Sequence, residues 1–485
     1  MSVVPVLRQD ISIVPQSDRV MLRPFIPSGE HRAAAIISRV LSLSDDRMAI
    51  ELEIILNEFA SRHHGMESRL LSNYDMVASQ IARPRSLSRD RKLLLGALFS
   101  GEYSLESAAL FNPSIVAHPN QMGVSEGSIR FMMSLRATGE GHISSIEFRT
   151  GLLDPEGTMT LDPVSRFVST PEVDPDPGYN KASFMITLRT MGCENEHSVA
   201  LLAELDDDFT KSELTRCVRR CRREHKPVPQ DLGETLQRVQ WIADSNYQIH
   251  FPPESSPGER AIFPISANES NGIEDARFVR FTEDDGSIMY YATYTAYNGH
   301  AILPQIIETR DFVSFRIRTL NGTSVRNKGM ALFPRRIGGQ YAMLSRQDDE
   351  NLFIMYSEHR YHWDESRVLM RPAELWESVK IGNCGSPLET DAGWLVLTHG
   401  VGPMRKYCIG AALLDLDDPG KVLGRLKEPL VAPDEAGREG YVPNVVYSCG
   451  AMIHGKRLIL PFAMSDRVTT AATVSLDDLL TALHG

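Results

Sequence analysis

"ESNGIEDARFVRF", residues 269–281, runs from a polar, glycine-containing turn into a stretch that reads as a β-strand. It sets Glu274 and Asp275 side by side and follows them with Arg277. Successive strand residues face opposite sides, so only one of the two carboxylates is expected to point into any given cleft. Short apolar runs of the same texture recur from about residue 104 onwards, among them "SIRFMMSL", "ISSIEF", "IMYYATYT", "LFIMYS", "GWLVLTHG" and "RLILPFAM", separated by Gly, Asp, Asn and Pro turns. Many short strands at near-regular spacing predict a mainly β fold: a sandwich, a barrel or a propeller. No strict repeat of the tryptophan–aspartate kind selects the propeller on repetition alone.

The first hundred residues read differently. In "SDDRMAIELEIILNEFASRH", Met48, Leu52, Ile55 and Phe59 fall on one helix face, with Ser44 as N-cap. "MESRLLSNYDMVASQIA" and "LSRDRKLLLGALF" repeat the pattern and are separated at Arg83–Pro84. The expectation is an N-terminal helical domain over 1–103 and a β domain over 104–485, with a helical insertion at about 206–244.

The chain has 485 residues and is acidic, with 51 Lys+Arg against 63 Asp+Glu, a net charge of −12. That balance argues against nucleic acid or an anionic membrane as partner, since both reward clustered cations. The basic run "RCVRRCRREHK" reads as a solvated helix face. The N-terminus lacks a signal-peptide layout, and no long apolar window suggests a membrane span. Six scattered cysteines form no disulfide or zinc framework, so the expectation is a cytoplasmic protein with reduced thiols and no metal.

Five motifs in order carry a resemblance: "GIEDAR" (272–277), "NKGMALFPRRIGGQYAMLSR" (327–346), "GSPLETDAGWLVLTHGVG" (385–402), "YCIGAALLDLDDP" (407–419) and "EGYVPNVVYSCG" (439–450). Together they resemble glycoside hydrolase family 130, the β-mannoside phosphorylases and mannosidases. "SAALFNPSIV" (107–116) and "FMMSLRATG" (131–139) look like that family's first blade. The resemblance covers about 104–480, with 150–262 poorly matched. It implies a five-bladed β-propeller with a central cleft and inversion at the anomeric carbon. It also implies that helical extensions such as the N-terminal one serve homo-oligomer contacts.

The resemblance makes Asp275 the catalytic acid, in some members acting through a sugar hydroxyl, and leaves Glu274 as a strand neighbour facing elsewhere. Arg277 would orient the motif and keep the potential near the substrate positive. Lys328, Arg346, His399 and Tyr407 match phosphate-contacting positions. Asn112, Arg136, His362, Trp363 and Asp466 fall where the family places sugar subsites. Glu439 is a further carboxylate, equally readable as a salt-bridge partner. One departure stands out: "PLET" places Glu389 where the phosphorylases carry lysine. An acid there either weakens phosphate use or supplies the base of a hydrolase.

The first reading is therefore an inverting phosphorylase that cleaves β-mannosides with inorganic phosphate, its co-substrate, to α-mannose 1-phosphate. It needs no other cofactor. The alternatives are an inverting β-mannosidase with Glu389 or another carboxylate as base, and a propeller that only binds sugars or proteins.

Overall fold

The structure, a computed structural model, describes residues 4–28, 31–78, 87–435 and 438–484. It is mainly β with helices. From residue 109 the chain folds as consecutive antiparallel meanders. The first comprises Ala109–Ala117, Ile129–Thr138 and Ser144–Leu153. The second comprises Gly272–Thr282, Ile288–Tyr297, Ile302–Thr309 and Ser314–Thr319. They share one 11-stranded sheet. Among the described residues the strand pairing between them is the single parallel pair Gly272–Ser144. At that junction a Cβ on Gly272, whose φ is 132°, would lie 2.4 Å from the Ser144 hydroxyl, so the approach requires glycine.

The sheet Ala331–Leu332, Tyr341–Ser345, Leu352–Ser357, Glu365–Met370 follows, and then one centred on Gly393–Val401 and Tyr407–Leu414. The last sheet pairs Arg457–Met464 with Val468–Ser475. Its edge is completed by Val6–Arg8 from the other end of the chain. Buried apolar side chains fill the spaces between successive sheets, as Leu395, Leu413, Val446, Leu460 and Phe462 do between the last two.

The N-terminal hundred residues are thus not wholly helical. Besides Val6–Arg8, the strand Val20–Pro24 pairs with Ser100–Ser104 and brackets the helices. The helix Asp45–Phe59 forms as its periodicity predicts, and the Ser44 hydroxyl accepts from the Arg47 amide. Met48 and Leu52 are buried, while Ile55 and Phe59 sit at the margin. The Arg83–Pro84 break lies outside the described residues.

The helical insertion begins earlier than expected. Lys181–Thr190 and Glu196–Ala203 precede Lys211–Glu224 and Gln230–Asp244. All four converge on a core of their own that includes Leu188, Leu202, Val218, Leu236 and Val239. The first two were missed because their apolar residues are interrupted by polar turns, and they are held instead by the N-caps Asn180 and Asn195.

Candidate active site

Two neighbouring strands break register at matching places. In Gly272–Thr282, Glu274 pairs with Thr295 and Arg277 with Thr293, so one residue is extra. In Ala109–Ala117, Phe111 pairs with Arg136 and Ser114 with Ser134, again leaving one extra. The residues at the two bulges, Asp275 and Asn112, have φ of 56° and 51°. Asp466, in the turn after Arg457–Met464, has φ of 50°. This left-handed region is one that Asn and Asp tolerate better than most side chains.

The bulges bring side chains together that a regular strand would keep apart. The Asn112 amide nitrogen donates to Asp275 Oδ1 at 2.7 Å. Arg136 reaches the same oxygen at 3.3 Å. Its other terminal nitrogen donates to Glu274 Oε1 at 2.9 Å. Lys328 Nζ lies 3.4 Å from Glu274 Oε2. Glu274 therefore does not face elsewhere: both carboxylates turn onto the same cations, and the expectation from strict alternation fails at the bulge.

Arg277 is buried behind them. It donates to the Tyr447 hydroxyl at 2.8 Å, and its other terminal nitrogen lies 3.4 Å from the Asp275 carbonyl. Tyr447 in turn stacks edge-on against His399, with ring centres 5.0 Å apart. His399 Nδ1 lies 3.2 Å from the Asn383 carbonyl, which fixes that nitrogen as the donor, and Nε2 accepts from Arg346 at 3.2 Å. Burial, then Arg346 and Arg277, hold His399 well below the usual imidazole range, so it is neutral. Tyr407 stacks on the same ring at 6.1 Å. Tyr447 and Asn383 escaped the sequence reading, although "VVYSCG" contains the first and lies in a motif that was singled out.

Charge at the site is unbalanced. Burial opposes ionisation of Asp275, but Arg136, Arg277, Lys328 and the Asn112 amide outweigh it and bring the carboxyl down to about 2. Asp466 goes the other way. Burial and the neighbouring Asp275 charge push it up to about 7, against Arg136, Arg405 and Lys328. Five cations (Arg136, Arg277, Lys328, Arg346 and, beside Asp466, Arg405) thus meet the carboxylates of Glu274 and Asp275 and the Asp466 carboxyl, which is near its midpoint at neutral pH. Lys380 and Asp349 pair at 2.7 Å beside Arg346 and add no net charge. The buried Nε atoms of Arg136, Arg277 and Arg346 have no acceptor among the described residues.

Glu389, Trp363, His362 and Glu439 do not join this cluster. Glu389 sits opposite Trp394, five residues before His399 on Gly393–Val401, which is roughly 16 Å along the strand. There it forms a bidentate pair with Arg335, at 2.7–3.1 Å, on the wall of a cavity of about 730 Å³ that the same strands line further along, at Ile115 and Phe278. Trp363 is fully enclosed in a core cluster with Leu320, Met343 and Met355, and its indole nitrogen donates to the Arg360 carbonyl. It offers no face to a sugar. His362 is engaged by Asp364 at 2.6 Å and contacts Thr190 of the helical insertion at 3.5 Å. Glu439 stays exposed on the loop that leads to Asn444.

Comparison with known proteins gives the family. The profile of glycoside hydrolase family 130, described as β-1,4-mannooligosaccharide phosphorylase, matches residues 239–484. The 1,2-β-oligomannan phosphorylase of Thermoanaerobacter sp. (strain X514) is 31% identical over 227 residues, 44% of this chain and 74% of that protein. The β-1,2-mannobiose phosphorylase of Listeria innocua is 29% identical over 251 residues, 50% of this chain and 68% of its own. The solved structure of β-1,2-mannobiose phosphorylase from Listeria innocua with β-1,2-mannobiose aligns at a TM-score of 0.45 and 20% identity, covering 79% of this chain and 93% of that one. The chain belongs to glycoside hydrolase family 130.

Proposed function

We propose that this protein is an inverting β-mannoside phosphorylase that uses inorganic phosphate to release α-mannose 1-phosphate. The observation that carries the reading is the excess of positive charge around Lys328 and Arg346, on a neutral His399, beside the ionised pair Glu274–Asp275. Family membership and relatives named as mannobiose and oligomannan phosphorylases support it. A hydrolase reading loses its named base, because Glu389 is bound to Arg335 and lies roughly 16 Å along the strand from His399.

In this reading phosphate lies against Lys328, Arg346 and Tyr407 and attacks the anomeric carbon from the face opposite the leaving oxygen. The glycosidic C–O bond breaks as the C–O bond to phosphate forms, and the leaving oxygen takes a proton from Asp275. Asp275 must first hold that proton, which its surroundings oppose. The dianion neutralises the cations that hold the carboxyl down, so phosphate binding itself moves Asp275 towards the acid form. Asn112, Arg136 and Asp466 would meet the sugar hydroxyls. The fold that goes with this is a five-bladed propeller: the 11-stranded sheet divides at its single junction into two blades, and three further sheets follow. The helical segment within 1–103 is then an appended unit suited to contacts between copies.

The test is product release from β-1,2- and β-1,4-mannobiose with and without phosphate. The expected result is mannose 1-phosphate only when phosphate is present, reduced about a thousandfold in Asp275→Asn. Free mannose at an equal rate without phosphate would replace this reading with hydrolysis.

A further inference from the structure

Glu274 is the charged group at this site for which neither acid chemistry nor phosphate binding has a use. Its oxygens are divided between two cations, Oε1 at 2.9 Å from Arg136 and Oε2 at 3.4 Å from Lys328. The carboxylate is 14% exposed, and the Lys328 side chain is 42% exposed. Among the described residues Glu274 is the one ion-pair partner of Lys328, and the contact is long. A long pair at a half-open ammonium is easily exchanged for a stronger anion.

We propose that Glu274 is a positioning residue, a counter-charge that parks Lys328 beside Asp275 and gives it up when phosphate arrives. This rests on the reading of Lys328 as a phosphate ligand. The groups facing Glu274 are Arg136, Lys328 and Asp275, with Arg277 and Asp466 behind them. Two effects of opposite sign follow. The carboxylate competes with phosphate for Lys328 and repels it, so it weakens phosphate binding. The same negative charge, next to Asp275, favours the protonated form of that acid and so supports catalysis.

The experiment is titration of inorganic phosphate into wild type and Glu274→Gln by calorimetry, with kcat and thermal unfolding measured on both. The expected outcome is about tenfold tighter phosphate together with about tenfold lower kcat, at an unchanged melting temperature. A residue with a purely structural role would weaken binding and turnover together and lower the melting temperature. That result, or unchanged phosphate affinity, overturns the proposal. If Glu274→Gln does not fold, Glu274→Asp carries the test. It keeps the charge but cannot span both cations, so phosphate should tighten by a smaller factor with kcat near wild type. Phosphate-independent release of mannose by wild type would refute the phosphorylase reading. The Glu274 proposal is judged separately, on phosphate affinity, and absence of phosphate binding in both proteins overturns it as well.

Discussion

Arg19, Glu106, Glu147 and Arg149 form one buried cluster of charge; Arg136, Glu274, Asp275, Arg277 and Lys328 form another. In the first, Arg19 lies 2.8 Å from Glu106 and 2.7 Å from Glu147, and Arg149 lies 2.6 Å from Glu106, with every side chain at most 3% exposed. Two cations meet two carboxyl groups, of which Glu106 is pushed up to about 8 by burial and the neighbouring Glu147 charge, and main-chain groups close the remainder: the Gln16 amide donates to Glu106, and Arg19 donates to the Gly258 carbonyl. The atom left without a partner is an acceptor, Glu147 Oε1. In the second cluster the leftovers include the Nε donors of Arg136 and Arg277, with Oδ1 of the adjoining Asn112 as one acceptor, and three cations meet two carboxylates. The first cluster closes on itself and fastens the N-terminal segment to the first meander; the second leaves cationic donors open, which the phosphorylase reading would fill with phosphate.

Replacing one member should therefore act on stability in the first cluster and on chemistry in the second. The largest effect is expected from Arg19→Leu, which leaves Arg149 as the one cation facing two buried carboxyl groups. Unfolding free energy from chemical denaturation should fall by about 3–5 kcal/mol, with kcat per folded molecule unchanged. Loss of kcat instead would erase the distinction.

Asp466 sharpens it. Its folded pKa of about 7 lies above the ordinary aspartate value of 3.8, so the folded state binds the extra proton. The stability this gives is complete below about pH 4 and lost as pH rises through 7. Asp466→Asn has no such loss. It should match wild type near pH 4 and exceed it by about 2–4 kcal/mol at pH 8 in paired denaturation curves. A gap that stays constant with pH would contradict the raised pKa.

The smallest effect is expected from Glu389→Gln. Its pair with Arg335 is partly exposed on both sides, so about 0–1 kcal/mol of stability is at stake and turnover should stay within about twofold. A large drop in turnover would return Glu389 to the catalytic site.

The β texture and the positions of Asp275, Arg136, Lys328 and Arg346 were legible in the sequence, because strand alternation and motif order survive in one dimension. What failed was local. Glu274 was assigned to the wrong face because alternation presumes a regular strand, and a bulge removes that premise. A proline inside a strand is a sign of such irregularity, and Pro113 stands at the companion bulge. Glu389 was misplaced for a different reason. Motif matching puts a residue in the correct strand, whereas its height along that strand decides which end of the cleft it reaches. Trp363 could not be separated from a core ring without knowing what covers it. Val6–Arg8 could not be assigned because its partner lies more than four hundred residues away.

The left-handed backbone at Asn112, Asp275 and Asp466 has a consequence for inheritance. Asparagine and aspartate are the non-glycine residues most at home there, and they differ in one atom and a charge. Exchange between them leaves the chain path intact while it adds or deletes an acid. A lineage built on this frame can thus redistribute its carboxylates, and with them its chemistry, in single steps that keep the chain path while shifting how stability depends on pH.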